Sequence, residues 1–152
     1  MLNVGDQVPD FTLESDSAGT IRSAALRGQR YVIYFYPKDD TPGCTKEACS
    51  FRDHLPDFKA LGVPVFGASA DDAKAHGKFA AKYQLNFPLL IDPDKKLLEA
   101  FGVWTEKSMY GRTYMGVLRA TFVVGADGKV EKVWPKVKPD GHGAEVLAWL
   151  KA

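Results

Sequence analysis

The sequence predicts an α/β fold, a layered sheet with helices packed on it, and three observations lead there. The runs "YVIYFYP" (31–37) and "VPVFGASA" (63–70) are continuously apolar or aromatic, the pattern of central strands covered on both faces. Stretches of helical periodicity lie between and after them, so strand and helix alternate. With 152 residues, 45% of them apolar, residues 1–152 can form one ordinary domain with a real core.

The elements follow in chain order. "DFTLESDSAGTIRS" offers two short extended pieces around Ala18-Gly19, a small hairpin appended at the N-terminus. After the first central strand comes a helix from Thr41 onward, and after the second comes "DDAKAHGKFAAKYQL" (71–85), with aspartates at its start and Ala, Phe and Tyr at helical spacing. "FPLLI" (87–91) reads as a strand, "KKLLEAF" (95–101) as a short helix, and "RATFVVGADGKVEKVW" (119–134) as a hairpin turning at Asp127-Gly128. "GAEVLAWLKA" closes the chain as a helix. No repeat, linker or low-complexity segment interrupts this order.

Charge and patterning exclude several functions. Lys plus Arg number 20 against 19 Asp plus Glu, without a block of one sign, so no nucleic-acid surface is expected. No apolar run approaches the ~18 residues that span a bilayer, and "MLNVGDQVPDFTL" lacks the basic and apolar segments of a leader, so no membrane partner is expected. Two cysteines are too few to staple a secreted scaffold. A reducing cytoplasm is the expected setting, and there a close pair of thiols points to chemistry.

Both thiols lie in "YFYPKDDTPGCTKEACSF" (34–51). Thr41 is a good N-cap and Pro42 stands where proline favours the first helical turn, so Cys44 falls in that turn. Unpaired N–H groups and the positive end of the helix dipole there favour a thiolate over a thiol. Cys44, Ala48, Phe51, Leu55 and Phe58 form one stripe that faces the sheet. Cys49 lies about 140° around, among Lys46, Arg52 and Asp53, and a regular helix separates the two Cα atoms by ~8.7 Å, beyond the ~7 Å reach of a disulfide. Bonding between them requires this helix to unwind. Pro56 is expected to kink or end the helix, leaving the cysteine-bearing turns short and weakly held.

Blander readings exist for each feature. A single cysteine is most often a buried structural residue, but the first-turn position and the neighbouring second thiol argue for reactivity. C-x4-C lacks a second ligand pair, and His54, His76 and His142 are scattered, so no metal is expected and the histidines read as surface or satisfied residues. Asp39-Asp40 reads as loop solvation, and Trp104, Tyr110 and Tyr114 as packing around the rim of the site.

Taken together, "YPKDDTPGCTKEACSFRD" resembles the active-site segment of the peroxiredoxins of the Q type, or bacterioferritin comigratory, subfamily, and the likeness runs from "GDQVPDFTL" to "YGRTYMGVLRATFVV". The resemblance implies a thioredoxin-like fold with a central mixed sheet, no cofactor, and reduction of hydrogen peroxide and organic hydroperoxides by a cysteine thiolate. Pro37, Thr41 and Cys44 match the family's proline, threonine and peroxidatic cysteine, Arg119 its arginine, Glu47 an acidic residue near that arginine, and Cys49 a resolving cysteine that some members carry. Backbone N–H groups at Gly43 and Cys44 would complete the cradle for the peroxide. Full ionisation of an ordinary thiol raises its reactive fraction at pH 7 by only ~30-fold, so further acceleration must come from Thr41 and Arg119 positioning the peroxide and stabilising charge. Cys49 would trap the sulfenic acid on Cys44 as a disulfide, and thioredoxin or a similar dithiol would reduce it. The chain lacks the C-terminal cysteine tail that pairs across a dimer, so a monomer is expected. Two alternatives remain at this point: a general thiol-disulfide oxidoreductase, and a redox-sensing module whose helix opens on oxidation.

Overall fold

The computed structural model describes residues 1–152. A five-stranded mixed sheet runs in the order β5-β4-β3-β8-β9, built from β3 (Tyr31–Phe35), β4 (Val65–Ser69), β5 (Leu89–Ile91), β8 (Ala120–Val124) and β9 (Val130–Trp134). β3, β4 and β5 are parallel, while β8 pairs antiparallel with both β3 and β9. The expected thioredoxin-like arrangement is therefore present, together with the N-terminal hairpin of β1 (Thr12–Glu14) and β2 (Thr20–Arg22).

Period-two alternation divides β3 between two cores. Val32 and Tyr34 join Phe51, Leu55 and Phe58 of α1 (Pro42–Ala60), Phe79 of α2 (Ala73–Tyr83) and Val146, Leu147 and Leu150 of α4 (His142–Lys151). Tyr31, Ile33 and Phe35 face the other way, onto Leu97, Leu98 and Phe101 of α3 (Lys96–Phe101). All five residues of β3 are buried, as its unbroken apolar run requires. The N-terminal hairpin lies beside edge strand β5: Ser15 bridges Leu90, and Asp16 exchanges bonds with Leu89 through its N–H and its carboxylate. That edge is thereby closed to other chains.

Two expectations need correction. Pro56 neither ends nor divides α1, which runs 19 residues without a break. Proline cannot donate to the carbonyl four residues back, and that group, Arg52 O, instead accepts from Asn86 Nδ2 at 3.2 Å, while Arg52 Nη1 donates to Tyr83 O at 2.7 Å. Long-range bonds compensate for the proline, so the cysteines sit in a long, anchored helix and not in a short loose one. The segment 104–116 folds as the hairpin β6 (Trp104–Met109) and β7 (Arg112–Val117). Its two-residue turn places Tyr110 and Gly111 at φ 53° and 76°, as a type I′ turn demands. Tyr110 therefore stands 97% exposed at the tip and does not pack on the site.

α4 seats on α1 by close backbone approach. Gly143 N–H donates to Ser50 Oγ at 2.9 Å, and a Cβ at Gly143 would come within 2.7 Å of the Ser50 carbonyl. Gly143→Ala is therefore expected to push α4 outward and destabilise the protein by roughly 1–3 kcal/mol. Urea denaturation of the variant beside wild type measures this.

Candidate active site

Sheet register builds the site. Phe35, the last residue of β3, pairs with Ala120, the first of β8, so the loop leaving β3 emerges beside Arg119. Loop 36–41 then delivers Thr41 to the N-cap of α1 and Cys44 to its first turn. Residues 75 apart in sequence become neighbours: Arg119 Nη2 donates to Cys44 Sγ at 3.3 Å and Nη1 to Glu47 Oε1 at 2.7 Å. Cys44 and Glu47 are buried, one turn apart on the same face of α1. Gly43 lets the guanidinium in, since a Cβ there would meet Arg119 Nη2 at 3.1 Å and Pro139 Cγ at 3.4 Å.

Thr41 has the extended backbone of an N-cap, φ −101° and ψ 156°, but its side chain does not cap the helix. Its hydroxyl donates to Lys38 O at 2.9 Å. The side chain thus satisfies none of the first helical N–H groups, and the threonine oxygen keeps its lone pairs for an incoming O–H. Pro37 is half-buried at the end of β3, next to this loop. Cys49 lies half-buried on α1, off the stripe that faces the sheet, and both thiols are free. Of the residues singled out from sequence, Thr41, Gly43, Cys44, Glu47 and Arg119 are brought together, whereas Cys49 stands apart on the same helix.

A second cluster has no counterpart in the sequence reading. Asp39 was expected to be solvated; instead it is buried, accepting from Tyr36 OH at 2.6 Å and lying 2.7 Å from His76 Nδ1. Asp40 alone fits that expectation, exposed and bound to Lys82 Nζ and Tyr83 OH at 2.9 and 2.8 Å. Asp39, Asp71 and His76 bring ligand atoms within 4.8 Å of one another. Both His76 nitrogens already face oxygen acceptors, which makes this a hydrogen-bonded network. Three stretches of the chain, 36–39, 71–76 and residue 90, supply it, and no motif in the sequence joins them. The one available hint was position, since loops at the carboxyl ends of parallel strands carry function.

Comparison with known proteins settles the kinship. Residues 4–133 match the AhpC/TSA family. The chain is 47% identical over 149 residues to the putative peroxiredoxin bcp of Coxiella burnetii, covering 98% of this chain and 99% of that one. It is 45% identical over 150 residues to peroxiredoxin Bcp of Bacillus subtilis, covering 99% and 96%. The structure of the Xanthomonas campestris bacterioferritin comigratory protein, described in work on its alkyl peroxide reduction, superposes with a TM-score of 0.90 at 41% identity, over 99% of this chain and 96% of that one. The chain belongs to the peroxiredoxins, in their Q-type branch.

This peroxiredoxin is a thiol peroxidase. Its electrostatics turn on one guanidinium shared between two acidic groups. Burial pushes the Glu47 carboxyl up to about 7, outweighing the opposing charge and hydrogen bond of Arg119. Glu47 Oε2 and the nearby Tyr34 hydroxyl have no hydrogen-bond partner, which is consistent with that penalty. Burial also works against the charge on Arg119, but Glu47 and Cys44 together hold its pKa above the ordinary value.

A stability prediction follows from the Glu47 shift. Folded Glu47 binds its proton more tightly than the unfolded residue, so stability falls as pH rises from the ordinary 4.5 to about 7. Glu47→Gln keeps an acceptor for Arg119 and removes the titration. Wild type is expected to lose on the order of 2 kcal/mol more than the variant across that window, measured by denaturation at both pH values.

Proposed function

We propose that Cys44 is the attacking thiolate, that Thr41, Arg119 and the N–H groups of Gly43 and Cys44 hold the peroxide, and that Cys49 traps the product. The observation that carries this is the Arg119 donor 3.3 Å from Cys44 Sγ, at the open amino end of α1. Sulfur attacks the terminal oxygen of a hydroperoxide, an S–O bond forms as the O–O bond breaks, and the departing oxygen takes a proton and leaves as water or alcohol. Negative charge migrates from sulfur onto oxygen, and Arg119 offers fixed donors along that path. Thr41 Oγ1, its proton committed to Lys38 O, accepts the O–H of the peroxide and so aligns it. Pro37 shields the sulfur from bulk water, and Glu47 steadies the guanidinium from the side away from substrate.

Cys49 then attacks the sulfenic sulfur, a disulfide forms and water departs. α1 must first unwind between the thiols, because a regular helix holds their Cα atoms ~8.7 Å apart. A dithiol reductant of the thioredoxin type restores both thiols by disulfide exchange, supplying two electrons and two protons. One domain spanning residues 1–152 performs the cycle as a monomer in the reducing cytoplasm, where no partner subunit is needed because both thiols lie on one helix.

One equivalent of peroxide added to reduced protein, quenched within seconds, is expected to remove two hydrogens from the intact mass. Cys44→Ser should show no change, and Cys49→Ser should instead gain one oxygen. A Cys44→Ser protein that still consumes peroxide overturns the assignment. Arg119→Lys, which replaces the fork by a point charge, is expected to slow Cys44 oxidation ~100-fold in stopped-flow fluorescence. Substitutions that stabilise residues 42–51 as helix without touching the pocket are expected to delay disulfide formation and raise the yield of sulfinic acid, read by mass spectrometry.

A further inference from the structure

The buried cluster around His76 is unused by the chemistry above, and its geometry is demanding. His76 is fully buried on α2, with Nδ1 2.7 Å from Asp39 Oδ2 and Nε2 2.8 Å from Leu90 O. A carbonyl and an ionised carboxylate can only accept, so both ring nitrogens must donate. An imidazole that donates from both nitrogens is an imidazolium.

We propose that His76 is a positioning residue for the peroxidase reaction: as an imidazolium it anchors Asp39, and through the Lys38–Asp39 peptide it fixes the direction of the Thr41 hydroxyl. The path is continuous. That peptide is gripped on both sides, its N–H donating to Asp71 Oδ2 at 2.9 Å and its carbonyl accepting from Thr41 Oγ1 at 2.9 Å. Asp71 is itself held by Ser69 Oγ at 2.6 Å. If Asp39 swings away, the peptide whose carbonyl accepts the threonine hydroxyl is free to rotate, and the direction of that hydroxyl turns with it.

The polar groups facing His76 come from every element around it. They are Tyr36 from the end of β3, Asp39 from the loop, Asp71 from the turn after β4, and the Leu90 carbonyl from β5. On its own helix, the Asp72 carboxylate is engaged with Ala75 N–H. Burial alone lowers the pKa of His76, but the bond and charge of Asp39, the Leu90 carbonyl and Asp71 more than offset it and hold it above the ordinary 6.5. Since the folded pKa is raised, the anchor is complete below about pH 6.5 and is lost as pH rises through the folded value. The loop is thus tightest below the folded pKa of His76 and slackens above it.

This inference rests on Cys44 and Thr41 acting as proposed above, and two readouts keep its failure separate from theirs. Imidazole nitrogen NMR on the reduced full chain reads His76 directly. It should carry protons on both nitrogens at pH 7 and titrate above 6.5, with Asp39→Asn, which preserves side-chain volume, moving the midpoint to lower pH. A singly protonated His76 at pH 7 overturns the proposal. Stopped-flow oxidation of Cys44 by hydrogen peroxide, with thiolate content followed by ultraviolet absorbance, reads the consequence. Wild type should slow about tenfold per thiolate across the interval in which His76 loses its proton, while Asp39→Asn is about tenfold slow at neutral pH and flat thereafter. A wild-type rate constant that stays level through the His76 titration overturns the proposal even if the ring is an imidazolium. Peroxide consumption by Cys44→Ser would instead strike at the underlying assignment, whatever His76 does.

Discussion

The Arg119 guanidinium, clamped between Cys44 Sγ and Glu47 Oε1, is the contact on which the rest of the site is organised. Three of its requirements shape the surroundings. The register of β3 against β8 must place residue 119 beside the loop that leaves β3. Residue 43 must carry no side chain, so that the guanidinium can approach the first turn of α1. A buried carboxylate one turn beyond the sulfur must hold the fork from behind, at the desolvation cost that raises the Glu47 pKa. A planar fork with donors on two nitrogens spans the sulfur and the carboxyl group at once, which a lysine ammonium could not do in the same orientation.

α1 carries two conflicting tasks. In the proposed cycle it must be rigid enough to hold Cys44 against Arg119 and loose enough to let Cys49 reach the same sulfur. The packing divides these tasks along the helix. Tyr83 ties down both flanks of the cysteine segment, its hydroxyl binding Asp40 and its carbonyl accepting from Arg52. Beyond Arg52, Leu55 and Phe58 are buried in the core, and Asn86 occupies the carbonyl that Pro56 leaves free. Between the ties, Cys44, Ala48 and Phe51 pack inward, with Phe51 stacked on Tyr34 at 4.6 Å between ring centroids. An opening confined to residues 41–51 breaks this short stretch of packing and leaves the second half of the helix in place.

The loop that presents Thr41 is held from α2 and the β4–α2 turn rather than from its own helix. Asp39 engages His76 and Asp71, and Asp40 engages Lys82 and Tyr83. The threonine hydroxyl, bound to Lys38 O at 2.9 Å, is thereby tied to α2 and to the β4–α2 turn as well as to the helix it begins.

Elements whose character is local were legible in the sequence. The apolar runs of β3 and β4 read as central strands because both faces are buried, the stripe from Cys44 to Phe58 read as the inner face of α1, and Asp127-Gly128 read as a turn because Gly128 adopts φ 79° there. The family pattern singled out Cys44, Thr41 and Arg119, and the fold brings Arg119 to the Cys44 sulfur. What failed was whatever depended on partners distant in the chain. Pro56 signals a break unless Asn86 is there to satisfy the carbonyl it frees, and Asp39 signals solvation unless His76 is folded against it. Tyr110 reads as packing until the hairpin turn claims it. Spacing along a chain determines which residues share a face of a helix or strand; only the tertiary fold decides which buried charge meets which counter-charge, because burial is costly and the compensating partner can come from any segment.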